Sequence, residues 1–350
     1  MRAYQIVEWG APLEEREVPM PEPQGTEVLV RVTASGICHS DIHIWDGYFD
    51  LGGGNKLTLE DRGVGLPFTM GHEVLGEVAA LGPEAEGVAV GDRRIVFPWI
   101  GCGDCAVCQR GEELLCLAPR TVGARKPGGY AEYCLAPHPR YLVDFEGVDE
   151  PHAATCACSG VTAYSALRKV DFLRADEHLM IIGAGGVGLA GIGMAKAVVK
   201  GKLVVADIDP AKRAAAIAAG ADEVVDNGDG EAVAKVLEMT GGGAMAAIDF
   251  VGAPATGGFA VQALARGGTL VVVGLFGGAM PLPMAMMPLK MLRLIGSYVG
   301  NLQEMHELMA LVKAGKVKPV PITPRPLREA GQAIADLRDG KAVGRYVLTN

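Results

Sequence analysis

Between His178 and Gly188 the chain reads HLMIIGAGGVG, and this stretch limits the fold more than any other. An apolar run suited to a buried strand passes without a gap into Gly183-x-Gly185-x-x-Gly188, and an alanine-rich helical pattern follows. Glycines here allow a tight turn and let a pyrophosphate approach the backbone, and the helix N-terminus stabilises the negative charge. With 49 glycines in the chain a bare GxGxxG is weak; the strand before it and the helix after it make it a dinucleotide-binding fingerprint. About 20 residues further on, VVAD places Asp207 at the tip of the next strand, where a carboxylate can hold both ribose hydroxyls and repel a 2′-phosphate. NAD is therefore expected over NADP.

The surrounding pattern is strand, helix, strand. Apolar runs at His178–Ile182, Lys202–Ala206, Glu223–Val225, Ala246–Val251, Thr269–Val273 and Arg293–Val299 predict six strands with helical crossovers, an α/β doubly wound parallel sheet. Asp209 as N-cap, Pro210 at the first position and Gly220 past the end punctuate one of those helices. Before about residue 150 the texture is all-β: Glu27–Thr33, Glu73–Ala80 and Arg93–Phe97 are short β-branched runs separated by Pro and Gly. From about Gly300 the tail returns to mixed texture and is expected to rejoin the first half. A 350-residue chain is long for one core, so two domains are expected.

A net charge of −9 argues against nucleic acid or an anionic membrane as partner. The two long uncharged stretches, Leu179–Ala195 and Gly267–Leu289, are broken by glycines or prolines and read as buried strands with loops, not as membrane spans. MRAYQIVEWG lacks the charged-then-apolar pattern of a secretion signal, so a cytoplasmic protein is expected. In that reducing setting the eight cysteines read as metal ligands or free thiols.

Four of them, Cys102, Cys105, Cys108 and Cys116, follow the spacing C-x2-C-x2-C-x7-C, which suits a closed tetrahedral structural zinc site. An iron–sulfur cluster is the competitor, but its run would continue with Cys-Pro after three residues, and here Cys116 comes seven residues on and precedes Leu117. Redox thiols are the other alternative. The stretch GICHSDIH (Gly36–His43) crowds Cys38, His39, Ser40, Asp41 and His43 together. A catalytic zinc takes three protein ligands and keeps one position open. Cys38, His72 in MGHE, and a thiolate from CACSG (Cys156–Gly160) could supply them, spacing alone leaving Cys156 and Cys158 equivalent.

Taken in order, GICHSDIH, GHE, the four-cysteine lobe, CSGVTAYSAL (Cys158–Leu167), GAGGVG and GKAVGRYVL (Gly340–Leu348) resemble the zinc-dependent medium-chain alcohol dehydrogenases over nearly the whole chain. The segment from Gly47 to GHE, FPW (Phe97–Trp99) and GLFGG (Gly274–Gly278) look most like the tetrameric archaeal and bacterial branch. The resemblance implies a GroES-like β-rich catalytic domain, residues 1–153 and 300–350, around a Rossmann domain, residues 154–299. It implies one catalytic and one structural zinc per chain, and it chooses Cys158 over Cys156 as the third catalytic ligand beside Cys38 and His72. Glu73 matches a carboxylate able to approach that metal, Asp41 the partner that fixes the histidine ligand's tautomer, and Ser40 and His43 a proton relay.

The implied cofactor contacts are Gly183, Gly185, Gly186, Val187 and Gly188 in the loop, with His39 and Arg345 on the pyrophosphate. Thr162 falls behind the nicotinamide, Lys212 beside Asp207 at the ribose, and Val251, Gly252 and Val273 at the strand ends. His39 replaces an Arg found in relatives and should grip phosphate less firmly. Ser40 as a plain helix cap, Asp41 as a first-turn charge and His43 as a surface residue are the bland rivals. Trp45, Phe49, Phe68, Trp99 and Leu275 are the candidate pocket residues; two Trp point to medium-chain or aromatic alcohols over ethanol. A strand within Gly267–Leu289 is expected, by resemblance, to pair with a second subunit in a homotetramer, a dimer being next. The function implied is hydride transfer between a primary or secondary alcohol and NAD. The alternatives are a polyol or other specialised carbonyl as substrate, or a silent dinucleotide-binding protein.

Overall fold

The computed structural model describes residues 1–350. The second half is one six-stranded sheet with all neighbours parallel. Its spatial order is Glu223–Val225, Lys202–Ala206, His178–Ile182, Ala244–Asp249, Leu264–Val272, Arg293–Gly296. The strand order reverses between His178–Ile182 and Ala244–Asp249, so a crevice opens beyond their carboxyl ends. Gly183 and Val251 sit there, so close that a Cβ on Gly183 would meet the Val251 side chain.

The first three strands match the sequence expectation in both bounds. The fourth ends at Asp249, not Val251, because Asp249 Oδ1 accepts the N–H groups of Val251 and Gly252 and turns the chain out of the sheet. The fifth begins at Leu264, ahead of Thr269, running on directly from the helix Pro254–Ala263 through an irregularity opposite Ala244 and Ala246. The sixth stops at Gly296. Asp209 caps the helix Pro210–Ala219 by accepting Ala211 N–H at 2.8 Å, and Gly220 ends it with φ +126°. Within one chain, residues 273–283 carry no strand.

In the first half, Val28–Gly36 pairs antiparallel with Glu73–Leu81, placing Gly36 opposite Glu73. Cys38 and His72 therefore leave the sheet at the same end. Arg345–Thr349 adds to the other edge of Val28–Gly36, with Val347 opposite Gly36, and brings Arg345 to that end too. The helix Leu302–Lys313 packs against Val161–Arg168. The largest apolar cluster is continuous from Val30, Val74 and Ile95 to Leu179, Ile181 and Leu203, so the two halves share one core. No helix is long and apolar enough to cross a membrane.

Candidate active site

Cys38 is the N-cap of the helix His39–Asp46. Its N–H donates to Asp41 Oδ2 at 2.8 Å, so the acid of the first turn caps the helix, and Ser40 does not. Ser40 instead sits with Oγ 3.8 Å from Cys38 Sγ. Asp41 is fully buried, and its other oxygen, Oδ1, lies 3.1 Å from His72 Nδ1. Tyr130, also fully buried, donates its hydroxyl to Asp41 Oδ2 at 3.1 Å. One carboxylate thus holds the backbone of one candidate ligand and the ring of another. Burial opposes a charge on His72, but Asp41 and Cys38 together outweigh it and raise the imidazole well above its ordinary value.

Cys158 arrives from a different kind of turn. Cys156–Gly160 is π-helical, between the helices Glu150–Thr155 and Val161–Arg168. Such wide turns interrupt regular packing and concentrate at functional sites. Here the turn aims Cys158 Sγ to 3.8 Å from Cys38 Sγ. Two thiolates about 2.3 Å from one tetrahedral zinc would stand about 3.8 Å apart. Cys156, the residue that spacing could not exclude, donates to His152 O at 3.5 Å inside the helix, and burial pushes its thiol up to about 12.

Ligand atoms of Cys38, His72, Cys158 and Glu73 all lie within 4.8 Å of one another. Both His72 nitrogens are buried without a hydrogen bond; Nδ1 has the Asp41 carboxylate 3.1 Å away, while Nε2 has no such partner and is the orphan that a metal would satisfy. The contact with Cys158 holds the Cys38 thiol well below its usual value, and the same contact with Cys38 raises Cys158 well above it. The donor set fits zinc.

Glu73 is fully buried behind these ligands. Its Oε1 accepts Ser159 N–H at 3.2 Å and its Oε2 pairs with Arg345. Burial pushes the Glu73 carboxyl up to about 7. A Cβ at Gly36 would collide with this carboxylate, which explains the glycine opposite. Arg345, expected at the pyrophosphate, is 4% exposed and directs its guanidinium to Glu73. A buried carboxylate needs a counter-charge, and Arg345 supplies it. Its Nε has no partner, and its chain lies where a Cβ on Gly186 would strike it, so it buttresses the glycine loop from behind.

The metal set faces a cleft of about 620 Å³ between the halves. The same cleft is lined by Ser40, His43, His39, Thr162, Gly183, Gly185, Gly186, Val187, Gly188, Asp207, Lys212, Val251, Gly252 and Val273. Asp41, Glu73 and Arg345 lie behind its wall. Thr162 Oγ1 is buried without a partner. Asp207 accepts Ala184 N–H at 2.7 Å and Asp209 N–H at 2.9 Å. His43 stacks 5.1 Å from Phe49, and burial lowers its pKa, helped by His39. Phe49, Trp99 and Leu275 line the cleft, but Trp45 and Phe68 do not. Both belong to a separate core cluster, where Arg338 covers the Trp45 ring at 4.1 Å and Phe68 pairs in a strand with Ile6.

Away from this cleft, Cys102, Cys105, Cys108 and Cys116 bring four sulfurs within 4.8 Å of one another. Cys105 lies 3.4 Å from Cys108 and 3.9 Å from Cys116, and Cys102 3.9 Å from Cys108, the scale a four-thiolate zinc requires. Backbone N–H groups of Cys105 and Asp104 bring the Cys102 thiol down to about 6.

Residues 24–146 match the family model described as alcohol dehydrogenase GroES-like domain, and residues 186–314 match zinc-binding dehydrogenase. An NAD-dependent alcohol dehydrogenase of Sulfurisphaera tokodaii is 41% identical, and one of Saccharolobus solfataricus 39%, each over 99% of both chains. The chain belongs to the zinc-dependent medium-chain alcohol dehydrogenase family. The crystal structure of the Aeropyrum pernix alcohol dehydrogenase superposes with a TM-score of 0.92 at 31% identity, covering 100% of both chains. The fold is accordingly a GroES-like β-rich domain joined to a Rossmann dinucleotide-binding domain.

Within this dehydrogenase fold several cleft residues were not expected from sequence. Tyr298 meets Trp99 edge to face at 5.8 Å, and Trp99 lies 5.4 Å from His72. Ser297 lines the cleft with a buried, unpartnered Oγ. Val299 lines it with φ +44°, a strained backbone for a β-branched residue. Arg62 and Arg125 also face it. A β-branched residue with positive φ leaves no mark in composition or periodicity, and the others read as ordinary loop residues.

Proposed function

We propose that this chain is an NAD-dependent zinc alcohol dehydrogenase that interconverts primary or secondary alcohols with aldehydes or ketones, the preference for medium-chain or aromatic ones resting on Phe49, Trp99 and Tyr298 and not on two tryptophans. One observation carries the reading: a three-ligand metal set and a dinucleotide-binding loop face each other across a single cleft.

Cys38, His72 and Cys158 would hold the catalytic zinc, and Cys102, Cys105, Cys108 and Cys116 the structural one. When bound, the catalytic zinc acts as a Lewis acid that lowers the pKa of a substrate hydroxyl and polarises a carbonyl. NAD supplies the hydride acceptor. Asp41 fixes the proton on His72 Nδ1 and leaves Nε2 free as donor. Ser40 takes the hydroxyl proton beside Cys38, and His43 delivers it to solvent; its lowered pKa keeps it neutral and able to accept. Glu73, with Arg345 as counter-charge, places a carboxylate within reach of the ligand set. Gly183, Gly185, Gly186, Val187 and Gly188 would receive the pyrophosphate with His39, and Asp207 and Lys212 the adenosine ribose. Thr162, Val251, Gly252 and Val273 would bound the nicotinamide. Phe49, Trp99 and Leu275 would exclude water from the reacting carbon.

The domain division we propose is 1–153 with 300–350, and 154–299. Eight unpaired cysteines suit a reducing compartment, so the cytoplasm is the proposed location. The proposed assembly is a homotetramer. The outer edge of Arg293–Gly296 has no partner strand, and Met284, Leu289 and Met291 beside it are exposed. The reading is tested by metal analysis with initial rates. Two zincs per chain and alcohol oxidation with NAD faster than with NADP are expected. One zinc with no dehydrogenase activity would favour the silent alternative.

A further inference from the structure

The substrate side of the cleft contains two positive charges that the reaction described above does not use. Arg62 and Arg125 both line it, beside Phe49, Trp99 and Tyr298. They sit together: Arg125 donates from Nη1 to the Arg62 carbonyl at 3.2 Å. Neither guanidinium forms an ion pair, whereas most of the other arginines do. Arg125 Nε is buried and has no hydrogen-bond partner within the protein.

The acids that precede Arg62 in the chain have partners elsewhere. Glu60 accepts from Trp9 Nε1 at 2.9 Å, and Asp61 from Thr58 at 2.6 Å. Of the two acids that line the cleft, Asp50 accepts Gly52 N–H and Asp207 lies at the ribose end. Arg62 stands 6.0 Å from the Phe49 ring, the outer limit of a cation–π contact, which does not neutralise it. Burial, and then the charge of Arg62, lower the Arg125 pKa, so the site is short of negative charge.

Two arginines on the lining of one cleft, joined through the Arg62 carbonyl and neither of them ion-paired, offer N–H forks that match a carboxylate. The aromatic path from His72 through Trp99 to Tyr298 runs from the metal set along the same cleft that the two arginines line.

We infer that the preferred substrates are alcohols, and the corresponding aldehydes, that carry a carboxylate remote from the reacting carbon, the carboxylate being held by Arg62 and Arg125. This rests on the dehydrogenase reading and narrows its substrate class. The hydroxyl end goes to the zinc ligands and the acid end to the arginines, with the apolar chain along Phe49 and Trp99.

The test uses the zinc-loaded enzyme with NAD and a graded series of ω-hydroxycarboxylates, their methyl esters and the matching n-alkanols. The best acid should exceed its own ester in kcat/KM by about tenfold or more, as for a hydrogen-bonded charge. The difference should reside in KM, and added salt should erode it for the acids alone. Arg62→Gln and Arg125→Gln, made separately so that one folding defect does not decide the matter, should each move the acid-to-ester ratio toward one. Esters and alkanols turned over as well as the acids would overturn the inference and leave the dehydrogenase reading standing. An acid preference that survives both substitutions would also overturn it, placing the carboxylate elsewhere, such as on the metal. Failure of every alcohol to reduce NAD would sink both.

Discussion

Asp41 organises the site out of proportion to its size. Its two oxygens meet His72 Nδ1, Cys38 N–H and the Tyr130 hydroxyl, all in full burial. A hydrogen bond to a buried charge is worth about 1.5–3 kcal/mol. Outer partners of metal ligands typically change metal affinity by about 10–100-fold. Tyr130→Phe should therefore keep the fold and weaken zinc retention by about tenfold in chelator competition, independent of turnover; unchanged retention would remove Tyr130 from the metal's support. His43 carries the second prediction at this scale. Its pKa is lowered by burial, so the neutral, proton-accepting form persists to below the usual imidazole value of about 6.5. Alcohol oxidation in the native enzyme should decline only below that pH. His43→Ala should slow it most near neutrality, with partial rescue by imidazole bases, and an unaltered pH–rate profile would discard the relay. The candidate ligands were legible because Cys and His are rare and chemically distinctive. Tyr130 was not, since it lies 89 residues from Asp41 and reads as an ordinary core aromatic. Arg345 was legible as a charge at the site, but its pairing with Glu73 depends on burial, which one-dimensional spacing does not encode.

Three elements determine which atoms meet. The paired strands Val28–Gly36 and Glu73–Leu81 bring Cys38 and His72 to one end, the π-helical turn delivers Cys158, and the glycine loop sets the distance of the cofactor. The four-cysteine lobe is independent of all three. Cys116→Ser should release one zinc per chain and raise amide exchange across 101–117, while the zinc at Cys38, His72 and Cys158 stays bound. Loss of both metals together would show that the two sites are coupled. Buried strands and capped helices were readable to the residue where period and punctuation agreed, as in His178–Ile182 and Pro210–Ala219. The strand end at Asp249 was not, because side-chain hydrogen bonds decide it. Trp45 and Phe68 were misplaced for a related reason: whether an aromatic lines a pocket or fills a core is a matter of long-range packing.

At the scale of the molecule, the sheet ends in an unpaired edge at Arg293–Gly296, with apolar Met284, Leu289 and Met291 in the open beside it. Such an edge invites pairing with another copy. Light scattering after size exclusion should report a tetramer; a stable monomer would contradict the assembly. The two-part architecture was visible in the change from β-rich to alternating texture near residue 150. The return of the tail to the first half was expected from its texture; which strand Arg345–Thr349 joins, and in what register, needed the structure, because register between distant segments has no local signature.

Anomalous diffraction at the zinc edge, from crystals grown with NAD, tests the central claim most directly. The account predicts two peaks per chain: one among Cys102, Cys105, Cys108 and Cys116, and one bonded to Cys38 Sγ, His72 Nε2 and Cys158 Sγ, with Cys156 uninvolved and the open side toward the nicotinamide. A crystal saturated with zinc in which the second peak is missing, or in which those three side chains point to separate places, would contradict it.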